Sequence, residues 1–198
     1  MNRRGFFRTG VDKVTRVVLR EMDGKADAMA AHWIRPPFAL GELEFLLTCT
    51  RCDKCLQACP HNVIFLLPDR LGVKVAGTPA LDLLHKGCHL CQDWPCVQAC
   101  EPGALRFSET SDGEESAALR LASITINPSV CLPYNGPECG ACASSCPVPG
   151  ALLWDGLKPR IDVDRCSGCG LCREACIAEP KAVNVQSLYR SSHTQALK

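Results

Sequence analysis

Cys49-Thr50-Arg51-Cys52-Asp53-Lys54-Cys55-Leu56-Gln57-Ala58-Cys59-Pro60 is the stretch that decides how this chain is read. Its cysteines are spaced C-x2-C-x2-C-x3-C, and the same spacing returns at Cys166, Cys169, Cys172 and Cys176. Two variants lie between. Cys88, Cys91, Cys96 and Cys100 widen the middle gap with Gln92-Asp93-Trp94-Pro95, and Cys131, Cys139, Cys142 and Cys146 widen the first gap with residues 132–138. These four quartets use all sixteen cysteines of the chain.

A cubane of four irons needs one thiolate per iron. Three cysteines two residues apart can wrap one cube from a single loop, while the fourth points away to a neighbouring cube. A sharp turn after the fourth suits that geometry. Pro60 and Pro147 follow Cys59 and Cys146 directly, Pro102 follows Cys100 one residue late, and Cys176 is followed by Ile177 with Pro180 close by. The spacing therefore predicts four [4Fe–4S] clusters with all sixteen thiolates as iron ligands. Cys131 is separated farthest from its fellow ligands, but loop-closure entropy grows slowly with length. Structural zinc uses CxxC pairs set well apart and needs no third and fourth cysteine at this spacing. A disulfide framework is disfavoured because cysteines two residues apart, repeated four times, make poor disulfide geometry.

With sixteen of its 198 residues given to metal, the chain has a thin apolar core for its length. Cluster binding is expected to supply much of the folding free energy, as structural metals do. The formal charge is +1 with thiols counted neutral. Each oxidised cluster with its thiolates nets about 2−, so the loaded protein is expected near −7. No basic stripe interleaved with aromatics points to nucleic acid.

Residues 1–47 hold no cysteine. Arg3, Arg4, Arg8, Lys13, Arg16 and Arg20 face a single acid, Asp12, over the first twenty positions, and Phe7, Val11, Val14 and Val18 recur at helical spacing. An amphipathic basic helix is expected there, suited to a membrane surface through residues 1–22, to a partner, or to packing on the cysteine-rich body. Arg3-Arg4-Gly5-Phe6-Phe7-Arg8 is similar to a twin-arginine export signal, but charged residues interrupt the apolar run that such a signal needs. The expectation is a cytoplasmic protein, at the inner face of the membrane, with periplasmic export as the alternative. No stretch reaches transmembrane length.

Short apolar runs flank the cysteine loops: 63–66, 73–75, 104–107, 124–126, 151–154, 160–163 and 182–185. They read as strands in a repeated unit of strand, cysteine loop, helical turn and strand. Cys146 and Cys166 lie 20 positions apart, close to a compact two-cluster unit, whereas Cys59 and Cys88 lie 29 apart, with room for an inserted hairpin around Arg70 to Pro79. Residues 108–116 are polar and acidic and read as a linker. The predicted fold is α+β, with tandem bacterial 2[4Fe–4S] ferredoxin-like modules and a helical N-terminal leader. Its parts are a leader at 1–44, a first module at 45–108 with quartets one and two, a linker at 109–120, a second module at 121–190 with quartets three and four, and a tail at 191–198. On this pairing Cys49, Cys52 and Cys55 share a cluster with Cys100, and Cys88, Cys91 and Cys96 share one with Cys59. Cys131, Cys139 and Cys142 join Cys176, and Cys166, Cys169 and Cys172 join Cys146. An outer–inner pairing, one with four and two with three, stays open.

Ile34-Arg35-Pro36-Pro37-Phe38 followed by Cys49-Thr50-Arg51-Cys52-Asp53-Lys54-Cys55 resembles the NapF ferredoxin-type proteins, as does the wide first gap from Cys131-Leu132-Pro133-Tyr134 to Cys139. Cys88-His89-Leu90-Cys91-Gln92-Asp93-Trp94-Pro95-Cys96 is closer to the NapG and MauM branch and to four-cluster subunits of molybdoenzymes. The resemblance implies electron transfer linked to a respiratory reductase or dehydrogenase, or help in maturing one. The partner would be a redox protein, such as a reductase or dehydrogenase subunit or a membrane quinol-linked complex.

Around the thiolates, Gly140, Gly168 and Gly170 are expected where backbone must approach sulfur. Leu56, Ile64, Leu105, Leu152, Leu171 and Val183 are expected to line the clusters. His89 and Lys54 read as surface residues beside ligands, and Trp94, Trp154 and Tyr134 as packing residues. No dinucleotide fingerprint, phosphate loop or nucleophile–base motif is present. The expectation is a one-electron carrier without catalytic residues, with a non-catalytic maturation factor that binds an apo-reductase as the alternative.

Overall fold

The computed structural model describes residues 21–107 and 119–189. The basic helix and twin arginines expected at the start, most of the acidic linker, and the tail lie outside the described residues. Residues 21–30 are helical (α1). They are followed by α2 (Glu42–Thr48), α3 (Lys54–Gln57), β1 (Ile64–Leu66), β2 (Pro79–Leu81), α4 (Pro95–Gln98) and β3 (Ser123–Ile126). Then come β4 (Leu152–Asp155), β5 (Lys158–Ile161), α5 (Leu171–Glu174) and β6 (Val183–Gln186). Short helices and short strands alternate with the cysteine loops, as an α+β reading requires.

The described strands form three antiparallel pairs, β1 with β2, β3 with β6, and β4 with β5. Isolated two-stranded pairs are marginal in water and need packing to persist. Here the pairs are nested around the cysteines. β3 precedes the third quartet and β6 follows the fourth, and their register Ser123↔Gln186 to Ile126↔Val183 closes that half of the chain. Inside it, β4 and β5 form the hairpin between the two quartets. The other half repeats the plan. Ala39, before the first quartet, bridges Leu105, after the second. The Leu40 N–H to Ala104 carbonyl and Arg106 N–H to Phe38 carbonyl bonds flank that bridge. β1 and β2 form its inner hairpin.

The expected strand at Val73–Val75 is corrected by the structure. Residues 73–77 form turns, and the partner of β1 is Pro79–Leu81. Gly72 at φ 99° and Gly77 at φ 71° bend the chain away from an extended path there. Arg51 clips the turn in place, its guanidinium donating to the carbonyls of Ala76 at 3.0 Å and Lys74 at 2.8 Å.

Residues 33–45 belong to the core of the first half. Pro36, Pro37 and Phe45 are fully buried, and so is Glu42. Glu42 receives the Arg35 guanidinium at 2.6 and 3.0 Å and the Trp33 indole N–H at 3.2 Å. Arg35 also donates to Thr78 Oγ1 and the Pro79 carbonyl, tying this segment to β2. A buried ion pair is tolerable only when its remaining donors and acceptors are met, as they are here. A small apolar cluster of Ala30, Trp33, Leu67, Val75 and Ala80 joins α1 to the insertion, with Tyr189 packed against it.

Candidate metal centre

The cysteine loops owe their shape to left-handed backbone between ligands. Arg51 and Asp53 have φ 59° and 54° in the first loop, Leu90 and Trp94 have 49° and 44° in the second, and Gly168 and Gly170 have 73° and 79° in the fourth. These turns direct amides at sulfur: those of Leu90, Gly168 and Leu171 act on Cys88, Cys166 and Cys169, favouring each thiolate against the effect of burial. Glycine adopts such dihedrals freely, whereas other residues in them cost about 1–3 kcal/mol each. The sequence reading looked only for glycine and so missed Arg51, Asp53, Leu90 and Trp94. Gly140, by contrast, does not have positive φ, and nothing lies within 4 Å of where its Cβ would sit.

The structure brings thiols from two quartets to each centre. Cys49, Cys52, Cys55 and Cys100 line one recess of about 340 Å³, with Phe45 and Leu105 among its walls. Cys59, Cys88, Cys91 and Cys96 line a second of about 340 Å³, beside Ile64 and Trp94. Cys131, Cys139, Cys142 and Cys176 line a third of about 390 Å³, beside Trp154 and Val183. Cys166 and Cys172 stand with Cys169 near Cys146, each raised first by burial and then by the neighbouring thiols. Leu56, Leu152 and Leu171 do not line the first three recesses, although Leu56 and Leu171 pack on the core. No cysteine is paired in a disulfide. Among the described residues no three or more His, Cys, Asp or Glu side chains close on a single metal ion. The thiols instead stand around spaces with largely apolar walls, which suits a body carrying several irons.

Burial sets the electrostatics. It pushes the Cys55 and Cys88 thiols up to about 11 and the Cys96 and Cys172 thiols up to about 12, with nearby cysteines adding to the shift. Without positive charge inside the recess these thiols hold their protons at neutral pH. Iron cores held by these cysteines would supply that charge, and the thiols would lose their protons on binding them. One further amide assists: Leu105 N–H points to Cys100 Sγ at 3.3 Å.

The two halves meet at the second and fourth loops. Cys88 N–H donates to the Cys169 carbonyl at 2.7 Å, and Gly87 N–H donates to the Glu174 carboxylate at 2.7 Å. Arg173 reaches across to the Leu84 carbonyl at 2.9 Å. A Cβ on Gly87 would lie 2.6 Å from Leu171, so only glycine allows this approach. Thiols of different centres feel one another at three places: Cys55 with Cys96, Cys88 with Cys169, and Cys142 with Cys172. The four groups of thiols therefore follow in the order first, second, fourth and third, named by the quartet that supplies three thiols.

The remaining predicted neighbours are accounted for by packing. His89 is exposed and stacks on His61 at 3.6 Å, and Lys54 pairs with Glu101 on the surface. Trp94 packs edge-on against Phe38, and Tyr134 donates its hydroxyl to the Pro159 carbonyl at 2.9 Å.

Residues 123–177 match the family model described as a 4Fe-4S dicluster domain. The ferredoxin-type protein MauM of Methylophilus methylotrophus is 32% identical over 197 residues, covering 92% of this chain and 85% of that one. The chain belongs to this family of ferredoxin-type iron–sulfur proteins. The NapG protein of Haemophilus influenzae is 35% identical over 165 residues, which cover 77% of this chain and 58% of that protein. The NapF protein of Escherichia coli is 31% identical over 152 residues, with 74% and 82% covered. No solved structure matches. As in this family, [4Fe–4S] clusters are the cofactor. No helix among the described residues is long and apolar enough to cross a membrane.

Proposed function

We propose that the chain is a one-electron relay holding four [4Fe–4S] clusters, one to each group of four thiols, in two tandem dicluster modules. The observation that carries this reading is the thiol geometry. Three recesses each receive three thiols from one quartet and a single thiol from another, and the fourth group repeats the pattern around Cys166, Cys169, Cys172 and Cys146. Bound clusters supply single-electron chemistry; the chain supplies their spacing and environment. α3 and α4 set the first and second centres side by side, the Cys88–Cys169 hydrogen bond joins the two modules, and α5 links the fourth centre to the third. Cys52, the exposed thiol of the sixteen, marks the first centre as a point where a redox protein partner could exchange electrons. On this reading the partner is a respiratory, molybdoenzyme-type reductase or dehydrogenase.

Anaerobic iron and acid-labile sulfide analysis tests the reading. About sixteen of each per chain are expected, with EPR signals of several interacting reduced cubanes. A count near eight would reduce the relay to one dicluster module. Full loading with no reversible reduction would favour a maturation role instead.

A further inference from the structure

Ser167 lies between two ligands, and its hydroxyl is a buried polar atom without a hydrogen-bond partner in the thiol form of the protein. The residue is 7% exposed. Its backbone is pinned on both sides. The Ser167 carbonyl accepts from Leu121 N–H at 2.7 Å, and the next residue, Gly168, sits so close to Ala122 that a Cβ would fall 2.2 Å from the Ala122 carbonyl oxygen. Burying a hydroxyl unpaired costs free energy, so such a group calls for an explanation. The corresponding positions elsewhere differ. Thr50 in the first loop and His89 in the second are exposed, and Leu132 in the third has no hydroxyl.

Ser167 is held between the ligands Cys166 and Cys169, and of the two its hydroxyl acts on the Cys169 thiol. Burial raises that thiol, while the Leu171 amide and the Ser167 hydroxyl pull it back toward the thiolate. Cys169 is also the residue whose carbonyl receives Cys88 N–H where the modules meet.

We propose that Ser167 Oγ donates a hydrogen bond to the Cys169 thiolate and thereby raises the reduction potential of the fourth centre above what its loop would otherwise give. The inference rests on the cluster reading above. Reduction adds one electron, and hence one negative charge, to the centre, and no proton is taken up. A donor aimed at a ligand sulfur stabilises the more negative state and so favours reduction. Ser167 is a positioning and tuning residue, not a ligand. It makes the fourth centre, at the module junction, a more stable resting place for an electron than its loop alone would give.

The experiment is an EPR-monitored redox titration of the full chain, loaded with iron and sulfide under anaerobic conditions. Ser167→Ala is expected to load as fully as the unmodified protein and to lower one potential while the others stay in place. Ser167→Thr, which keeps the hydroxyl, is expected to stay near the original value. If Ser167→Ala does not load, Ser167→Thr and Ser167→Val give the same contrast, being alike in shape and differing in the hydroxyl. Fully loaded variants without the hydroxyl whose potentials all match the original overturn the proposal, as does a threonine variant that falls with the alanine or valine one. An unmodified protein that takes up no iron and sulfide overturns the cluster reading itself, and this inference with it.

Discussion

The two halves of the molecule solve one problem with different materials. Each must enclose two quartets between an outer pairing and an inner hairpin. The C-terminal half does so with regular structure: a four-residue β3–β6 pairing outside, the β4–β5 hairpin inside, and glycines at the left-handed positions of its last loop. Among the described residues, the N-terminal half has a single outer bridge between Ala39 and Leu105, an insertion clipped by Arg51, and arginine, aspartate, leucine and tryptophan in the same backbone conformation. The buried Arg35–Glu42 knot braces what the short pairing cannot. The family model matches only 123–177, within the regular half. The nested plan therefore depends on where the thiols fall and on closing the chain around them, and much less on strand length.

The largest effect that would break this comparison is loss of a ligand. Cys172→Ala removes a buried thiol of the fourth centre, beside the junction, and is expected to cost iron from both halves with a steep loss of thermal stability. Cys52→Ala removes an exposed thiol at the far end and is expected to cost about four irons while the other centres stay loaded. Iron analysis and anaerobic melting of both variants check the contrast.

A smaller effect, confined to the N-terminal half, is expected from Glu42→Ala. It strands the Arg35 guanidinium in the core, and breaking a buried pair in this way costs about 3–5 kcal/mol. Denaturant titration followed by circular dichroism measures it, and amide exchange should rise first around 33–45 and β2. An unfolding curve identical to that of the original protein would remove the knot from the account of that half.

The smallest effects sharpen the contrast between the loops. Gly168→Ala is expected to destabilise by about 1–3 kcal/mol, because the new Cβ meets Ala122 at a strained φ. Asp53→Gly is expected to stabilise slightly, by about 0.5 kcal/mol, because glycine relieves the left-handed dihedral. Gly140→Ala, in open space, is expected to change stability by less than about 0.5 kcal/mol. Equal responses at Gly168 and Gly140 would mean that the close approach to Ala122 has no energetic weight.

The grouping of the thiols around common recesses was legible because their repeated spacing is one that few other uses of cysteine share. The strands at 124–126, 151–154 and 182–185 were legible for a similar reason: each is a β-branched or apolar run ended by a polar turn. Val73–Val75 misled because its apolar pattern is local, whereas the bend is imposed by Gly72, Gly77 and the distant Arg51. The Arg35–Glu42 pair gave no signal, since a buried charge pair looks in sequence like two surface charges. Ser167 was hidden for the opposite reason: one small residue between two ligands acquires meaning only when its neighbours are shown to shut out water.

The contact between Ser187 and Ala30 has a consequence for biosynthesis. The Ser187 hydroxyl donates to the Ala30 carbonyl at 2.8 Å across 157 positions, and Tyr189 packs against the cluster built by α1. A nascent chain whose 187–189 segment is still inside the ribosomal tunnel cannot fasten that clasp. The earliest part of the described chain to be synthesised thus waits for one of the latest before its packing is complete.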